Sequence, residues 1–194
     1  VVSIRHAHKA AEAGVDGLIA VCAGAGGHSG ATSPFALVSE IRQFFEGTLL
    51  LAGAINQGHQ VAAALVMGAD LAWMGSRFIA TRESLAPEEY KQMMLRASAK
   101  DIVYTDAVSG VPANFLRESL EANDFDVAEL LKGGLGSGRL KDLGDEAKAW
   151  KTIWSAGQGV GGVADVPSTT ELCARLKTEF DAACAAGVPW PERG

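Results

Sequence analysis

The chain has 194 residues, 48% of them hydrophobic and 21% charged, proportions that exclude intrinsic disorder and a fibrous repeat and suit one globular domain or part of one. Seventeen Lys and Arg against 23 Asp and Glu give a net charge of −6, which argues against nucleic acid as a partner. The longest strongly apolar run, Leu49 to Ile55, falls far short of the ~20 residues that cross a bilayer.

The opening VVSIRHAHK has no signal-peptide apolar segment, so the chain reads as cytoplasmic, with no membrane partner. It begins on Val1 directly in a helical pattern, which suggests a piece whose N-terminal part is missing. Ser3 is placed to cap a helix running to Ala13 and stopped by Gly14, and Gly17 to Val21 then reads as a buried strand. After a glycine-rich loop, Ala23 to Ser33, Pro34 opens a helix to about Phe45, followed by a strand at Leu49 to Ala52. A helix over Gln57 to Met67, closed by Gly68, precedes a strand at Leu71 to Met74. PEEYKQMMLRAS, from Pro87, is a helix leading to a fourth strand at Ile102 to Tyr104.

Strand starts at 17, 49, 71 and 102 are 22 to 32 residues apart with helices between them, a βα alternation that predicts a parallel sheet. The strands are apolar on both sides, as expected of a sheet covered on both faces or closed into a barrel. Beyond Val108 the pattern loosens. VPANFLRESL reads as a short helix, LKGGLGSGRLKDLG as a loop, and Asp145 to Ser155 as a helix. The last element is a helix over Ser168 to Ala186, with a Ser168/Glu171 capping box and a Leu172, Leu176, Phe180 stripe, ending at Gly187.

In a parallel α/β sheet, ligands bind at the carboxyl ends of the strands. The loop after the first strand holds Gly24, Gly26, Gly27 and Gly30 around His28. Glycines let the backbone approach a flat or phosphorylated ligand, and the imidazole suits proton transfer at neutral pH. The alternative is a tight packing loop with a surface histidine. A phosphate loop needs a lysine that is absent, and the spacing of Gly24, Gly26 and Gly30 misses the dinucleotide fingerprint. Gly157, Gly159 and Gly162 do fit that fingerprint, but helix rather than strand precedes them. The next two strand ends carry Gly53, and Gly75 with Ser76. Their amides and the Ser76 hydroxyl can converge on one phosphate, or the glycines are simply turns. An ion pair suits Arg77 better than a phosphate. Cys22, Cys173 and Cys184 show no C-x-x-C spacing, so no metal site is expected.

AGAGGHSG at 23 to 30, LLAGAI at 50 to 55, GADLAWMGSRFIAT at 68 to 81, DIVYTDAVSGVPANFLR at 101 to 117 and SAGQGVGGV at 155 to 163 together resemble the nitronate monooxygenase family, formerly 2-nitropropane dioxygenases. That family is related to an FMN-dependent enoyl-ACP reductase. The resemblance implies an FMN-binding (β/α)8 TIM barrel. Its N-terminal strands are absent from this chain, residues 1–110 supply the βα units, and 111–194 are a loop and C-terminal helical segment completing the same domain. It implies a catalytic His28, a flavin contact at Gly26, phosphate contacts at Gly53, Gly75 and Ser76, and a cofactor-side turn at Gln158. The implied reaction is oxidation of alkyl nitronates, and of nitroalkanes, by dioxygen to a carbonyl compound and nitrite, with a homodimer as an implied assembly. The alternatives are an NAD(P)H-dependent FMN reductase of enoyl thioesters or quinones and a non-catalytic module that binds a phosphate ligand.

Overall fold

A computed structural model describes residues 1–133 and 152–187 of the chain. Helix α1 (Ile4–Glu12) starts where the Ser3 hydroxyl accepts the His6 N–H, and strand β1 (Gly17–Val21) follows it. Helix α2 (Pro34–Ile41), strand β3 (Thr48–Ala52), helix α3 (Gly58–Val66) and strand β4 (Leu71–Trp73) continue the alternation, with the two-residue strand β2 (Gly27–His28) inside the first loop. Strands β1, β3 and β4 form a parallel sheet in that order. Val21 lies opposite Ala52 and Ala52 opposite Trp73, so the three strand ends form a level row.

Leu18 and Ala20 point from β1 into a core with Leu37, Val38, Ile41, Leu49, Leu51 and Ala64, where helices cover the sheet. Cys22 is buried in this core, and burial pushes its thiol up to about 11, which makes it an inert packing residue. The alternate residues Ile19 and Val21 are only half-buried and line a cleft on the other face. Apolar residues on both faces of β1 therefore do not mean helices on both faces; one side meets packing and the other a concavity.

Two expectations are corrected. Ile102–Thr105 (strand β5) does not join the parallel sheet. It pairs antiparallel with β6 (Ala113–Leu116), which pairs antiparallel with β2. Spacing along the chain reports alternation, not sheet membership. VPANFLRESL is likewise not one helix: its first half is β6, and helix α6 (Arg117–Glu121) follows. All four β6 residues are buried, so period-2 alternation is erased and a short apolar run reads equally as helix or strand.

A four-residue helix α4 (Ser76–Ile79), without a sequence signal, follows β4, and α5 (Glu88–Arg96) leads to β5. Helix α7 (Val127–Gly133) occupies the start of the expected loop from Leu131. Most of the helix expected over 145–155 lies outside the described residues. A 3-10 turn (Gln158–Gly162) precedes helix α8 (Thr169–Ala186), whose Ser168/Glu171 capping box forms as expected, with Leu172 and Leu176 buried.

The end of the sheet is pinned to α8 by charge. Arg77 of α4 is 2% exposed, and its guanidinium reaches Asp165 Oδ1 at 2.9 Å and the Ala80 carbonyl at 3.2 Å. Arg175 of α8 grips the same carboxylate through two bonds, at 2.9 and 2.6 Å. Hydrogen bonds from Arg175, backed by the charges of Arg175 and Arg77, hold the Asp165 carboxyl below the usual carboxylate range. A carboxylate with a depressed folded pKa stabilises the protein at neutral pH, and that contribution fades as pH falls through the folded value. Asp165→Asn leaves Arg77 buried without its charge partner. It should cost about 2 kcal/mol in urea unfolding at pH 7, discounted because Asp165 is partly exposed, with the gap narrowing below about pH 4. A gap that does not change with pH contradicts this role.

Candidate functional site

Because the strand ends are level, the loops that leave them emerge side by side. Between them lies a cleft of about 280 Å3, with Ile19 and Val21 among its lining. Gly26 comes from the loop after β1, Gly53 from the loop after β3, and Gly75 and Ser76 from the end of β4. Four of the residues picked out by sequence therefore share one concavity.

The glycine-rich turn closes one side. Gly157 donates its N–H to Ser76 Oγ at 2.9 Å, and Gln158 donates its N–H to the Gly24 carbonyl at 2.9 Å. Ala54 also donates to that carbonyl, at 3.2 Å. A Cβ on Gly26 would sit 2.8 Å from both the Gly157 nitrogen and Ser76 Oγ, so only glycine permits the loops to meet. A Cβ on Gly75 would meet nothing within 4 Å. The close-packed side of the cleft and its open side are thus distinguished by two glycines. The described residues just ahead of Gly157, 152–156, form no strand, so the strand context that a dinucleotide fingerprint needs is absent there.

The cleft is lined mostly by apolar residues, and what polarity it has comes mainly from neutral groups. Ser76 accepts from Gly157 and keeps its own hydrogen to donate, and the first amides of α4 have no intrahelical acceptor. Arg77 borders the cleft, but its charge is engaged by Asp165. Asn56, also on the lining, bonds through Nδ2 to the Gly159 carbonyl. Trp73 is half exposed at the rim. Among the described residues no three of His, Cys, Asp and Glu are grouped to hold a metal ion, and no helix is long and apolar enough to cross a membrane.

His28 and Gln158 stand apart from the other candidates. His28 lies two residues beyond Gly26, on β2, exposed and outside the cleft lining, with Nε2 3.4 Å from Ser109 Oγ. Gln158 is exposed and also outside the lining; its side chain rests against Gly24, and its contribution is the backbone bond. Sequence reasoning missed Asn114, which is 2% exposed on β6. Its Nδ2 donates to the Ala25 carbonyl at 2.7 Å and to Ser29 Oγ at 3.0 Å, bracketing the segment from Gly26 to His28. A lone amide inside the apolar run Ala113 to Leu116 was the available signal.

The nitronate monooxygenase family model matches residues 1–179. A nitronate monooxygenase of Paraburkholderia phytofirmans is 32% identical over 129 residues, covering 62% of this chain and 35% of that protein. The structure of FabK from Thermotoga maritima has a TM-score of 0.74 at 30% identity, covering 96% of this chain and 61% of the other. A nitroalkane oxidase from Streptomyces ansochromogenes has a TM-score of 0.73 at 28% identity, covering 96% and 57%. The chain spans about a third of the length of the curated relatives it matches. With the match running from the first helix through most of α8, the chain belongs to the nitronate monooxygenase family.

Proposed function

We propose that the protein is an FMN-dependent oxidoreductase that converts alkyl nitronates, and nitroalkanes as a second substrate class, to carbonyl compounds and nitrite with dioxygen. The three parallel strands are then an arc of a TIM-type barrel with the cofactor across their carboxyl ends. The observation that carries this reading is the shared cleft of Gly26, Gly53, Gly75 and Ser76.

The residues fit the group. The Gly53, Gly75 and Ser76 amides and the Ser76 hydroxyl would hold the phosphate, as fixed dipoles hold anions without a full counter-charge. The missing side chain at Gly75 leaves room for that approach. Ile19, Val21 and Ala52 supply apolar lining for the rest of the cofactor, with Gly26 and the Gln158 turn on its near side. When bound, FMN supplies the electron chemistry that side chains lack.

His28 acts at the rim. A neutral nitroalkane must lose its α-proton before oxidation, and the imidazole accepts it; a nitronate arrives without that proton. His28→Asn should lower turnover of a neutral nitroalkane by about 100-fold, while turnover of the preformed nitronate falls by less than about threefold. Equal losses on both substrates remove the base role. Gly75→Ala should weaken FMN binding by about tenfold, the effect of roughly 1.4 kcal/mol, without moving the melting temperature of the flavin-free protein. A drop in that melting temperature would make Gly75 a packing residue.

The similar likeness to FabK and to a nitroalkane oxidase supports a second reading on the same cradle, an NAD(P)H-dependent reductase of enoyl thioesters or quinones. Anaerobic mixing separates the two. A nitronate oxidiser has its flavin bleached by the nitronate, and the reductase has it bleached by NADH.

A further inference from the structure

Ser109 lies in the turn between β5 and β6, is 1% exposed, and touches His28 across the small antiparallel sheet. Its hydroxyl has one hydrogen and two lone pairs. That hydrogen is committed to the Val111 carbonyl, 2.9 Å away. What the hydroxyl presents to His28 Nε2 at 3.4 Å is therefore a lone pair, and the imidazole must be the donor.

The turn that carries Ser109 is tied to the β2 segment at His28 and at the residue after it. Ala113 is the register partner of His28, Ser29 donates its N–H to the Pro112 carbonyl at 3.3 Å, and the Tyr104 hydroxyl donates to the Ser29 carbonyl at 3.1 Å. Gly110 donates to the Asp106 carbonyl at 2.7 Å and closes the turn beneath Ser109. A buried hydroxyl with a committed rotor, on a turn fastened to the strand of its partner, makes a fixed acceptor.

We propose that Ser109 is a positioning residue for His28: its hydroxyl accepts from Nε2–H and fixes the ring as the Nε2-protonated tautomer. This rests on the base role given to His28 above. A neutral ring protonated at Nε2 takes a further proton only at Nδ1. The proton leaves the α-carbon of the nitroalkane, its electron pair stays behind in the nitronate, and the ring becomes an imidazolium that still donates from Nε2 to Ser109. The acceptor therefore serves both states of the base, as a second-neighbour oxygen commonly does for a catalytic histidine.

The test is nitrogen NMR of the protein labelled with 15N-histidine, with the His28 signals assigned by their loss in His28→Asn. Wild type should show a protonated Nε2 whose hydrogen is held against exchange with water. Ser109→Ala should speed that exchange about fivefold, the effect of one hydrogen bond of about 1 kcal/mol. Ser109→Thr, which keeps the hydroxyl, should restore it. A wild-type ring protonated at Nδ1 instead overturns the proposal, and that measurement needs no variant to fold. Exchange unchanged in Ser109→Ala overturns it equally. The nitroalkane assay of His28→Asn reads the base role separately, so the two can fail independently.

Discussion

The carbonyl of Gly24 accepts two amide hydrogens, one from Ala54 after β3 and one from Gln158 in the 3-10 turn, and the site depends on that shared acceptor. Its place follows from the parallel register, which sets Val21, Ala52 and Trp73 in one row. Loops leaving a row of strand ends carry backbone groups with no ladder partner, and each such group is met locally, by water or by a ligand. Here the first two loops and the glycine turn meet one another through Gly24. The third loop joins them through the bond from Gly157 to Ser76. Beside Gly75, which lines the cleft, there is open space.

Charge is kept out of this arrangement. Among the described residues the one cation in the cleft lining, Arg77, is buried and paired with Asp165, which Arg175 holds in turn. The three side chains together fasten α4 to α8 and leave the cleft with neutral donors. An anion bound by amides and a hydroxyl is held by fixed dipoles, which cost no reorganisation when the charge arrives. On the proposed reading, a protein of net charge −6 takes up a phosphorylated cofactor in this way without a basic patch. The ionisable imidazole stands apart, on a two-residue strand that Asn114 and Ser109 brace from neighbouring positions.

Much of this was legible in the chain because single local signals carried it. Ser3 and the Ser168/Glu171 box marked helix starts, Pro34 and Gly68 marked a start and a stop, and apolar runs between them marked β1, β3 and β4. The glycines that line the cleft were legible because they follow strand ends. The antiparallel sheet was not, since β2 is two residues inside a glycine loop and β6 is buried throughout. Ser109 and Asn114 act across 81 and 89 residues of chain, a distance at which no local pattern marks a hydrogen bond. His28 was singled out by its surroundings, but its place outside the cleft lining follows the pairing of β2 with β6, which spacing does not encode.

The proposed phosphate cradle is tested most directly by titrating the protein with FMN and with riboflavin and following the quenching of flavin fluorescence. Amides and a hydroxyl gathered around one phosphate require FMN to bind more tightly by at least about tenfold, the effect of roughly 1.4 kcal/mol. Equal affinity for the two flavins would mean that Gly53, Gly75 and Ser76 hold no phosphate.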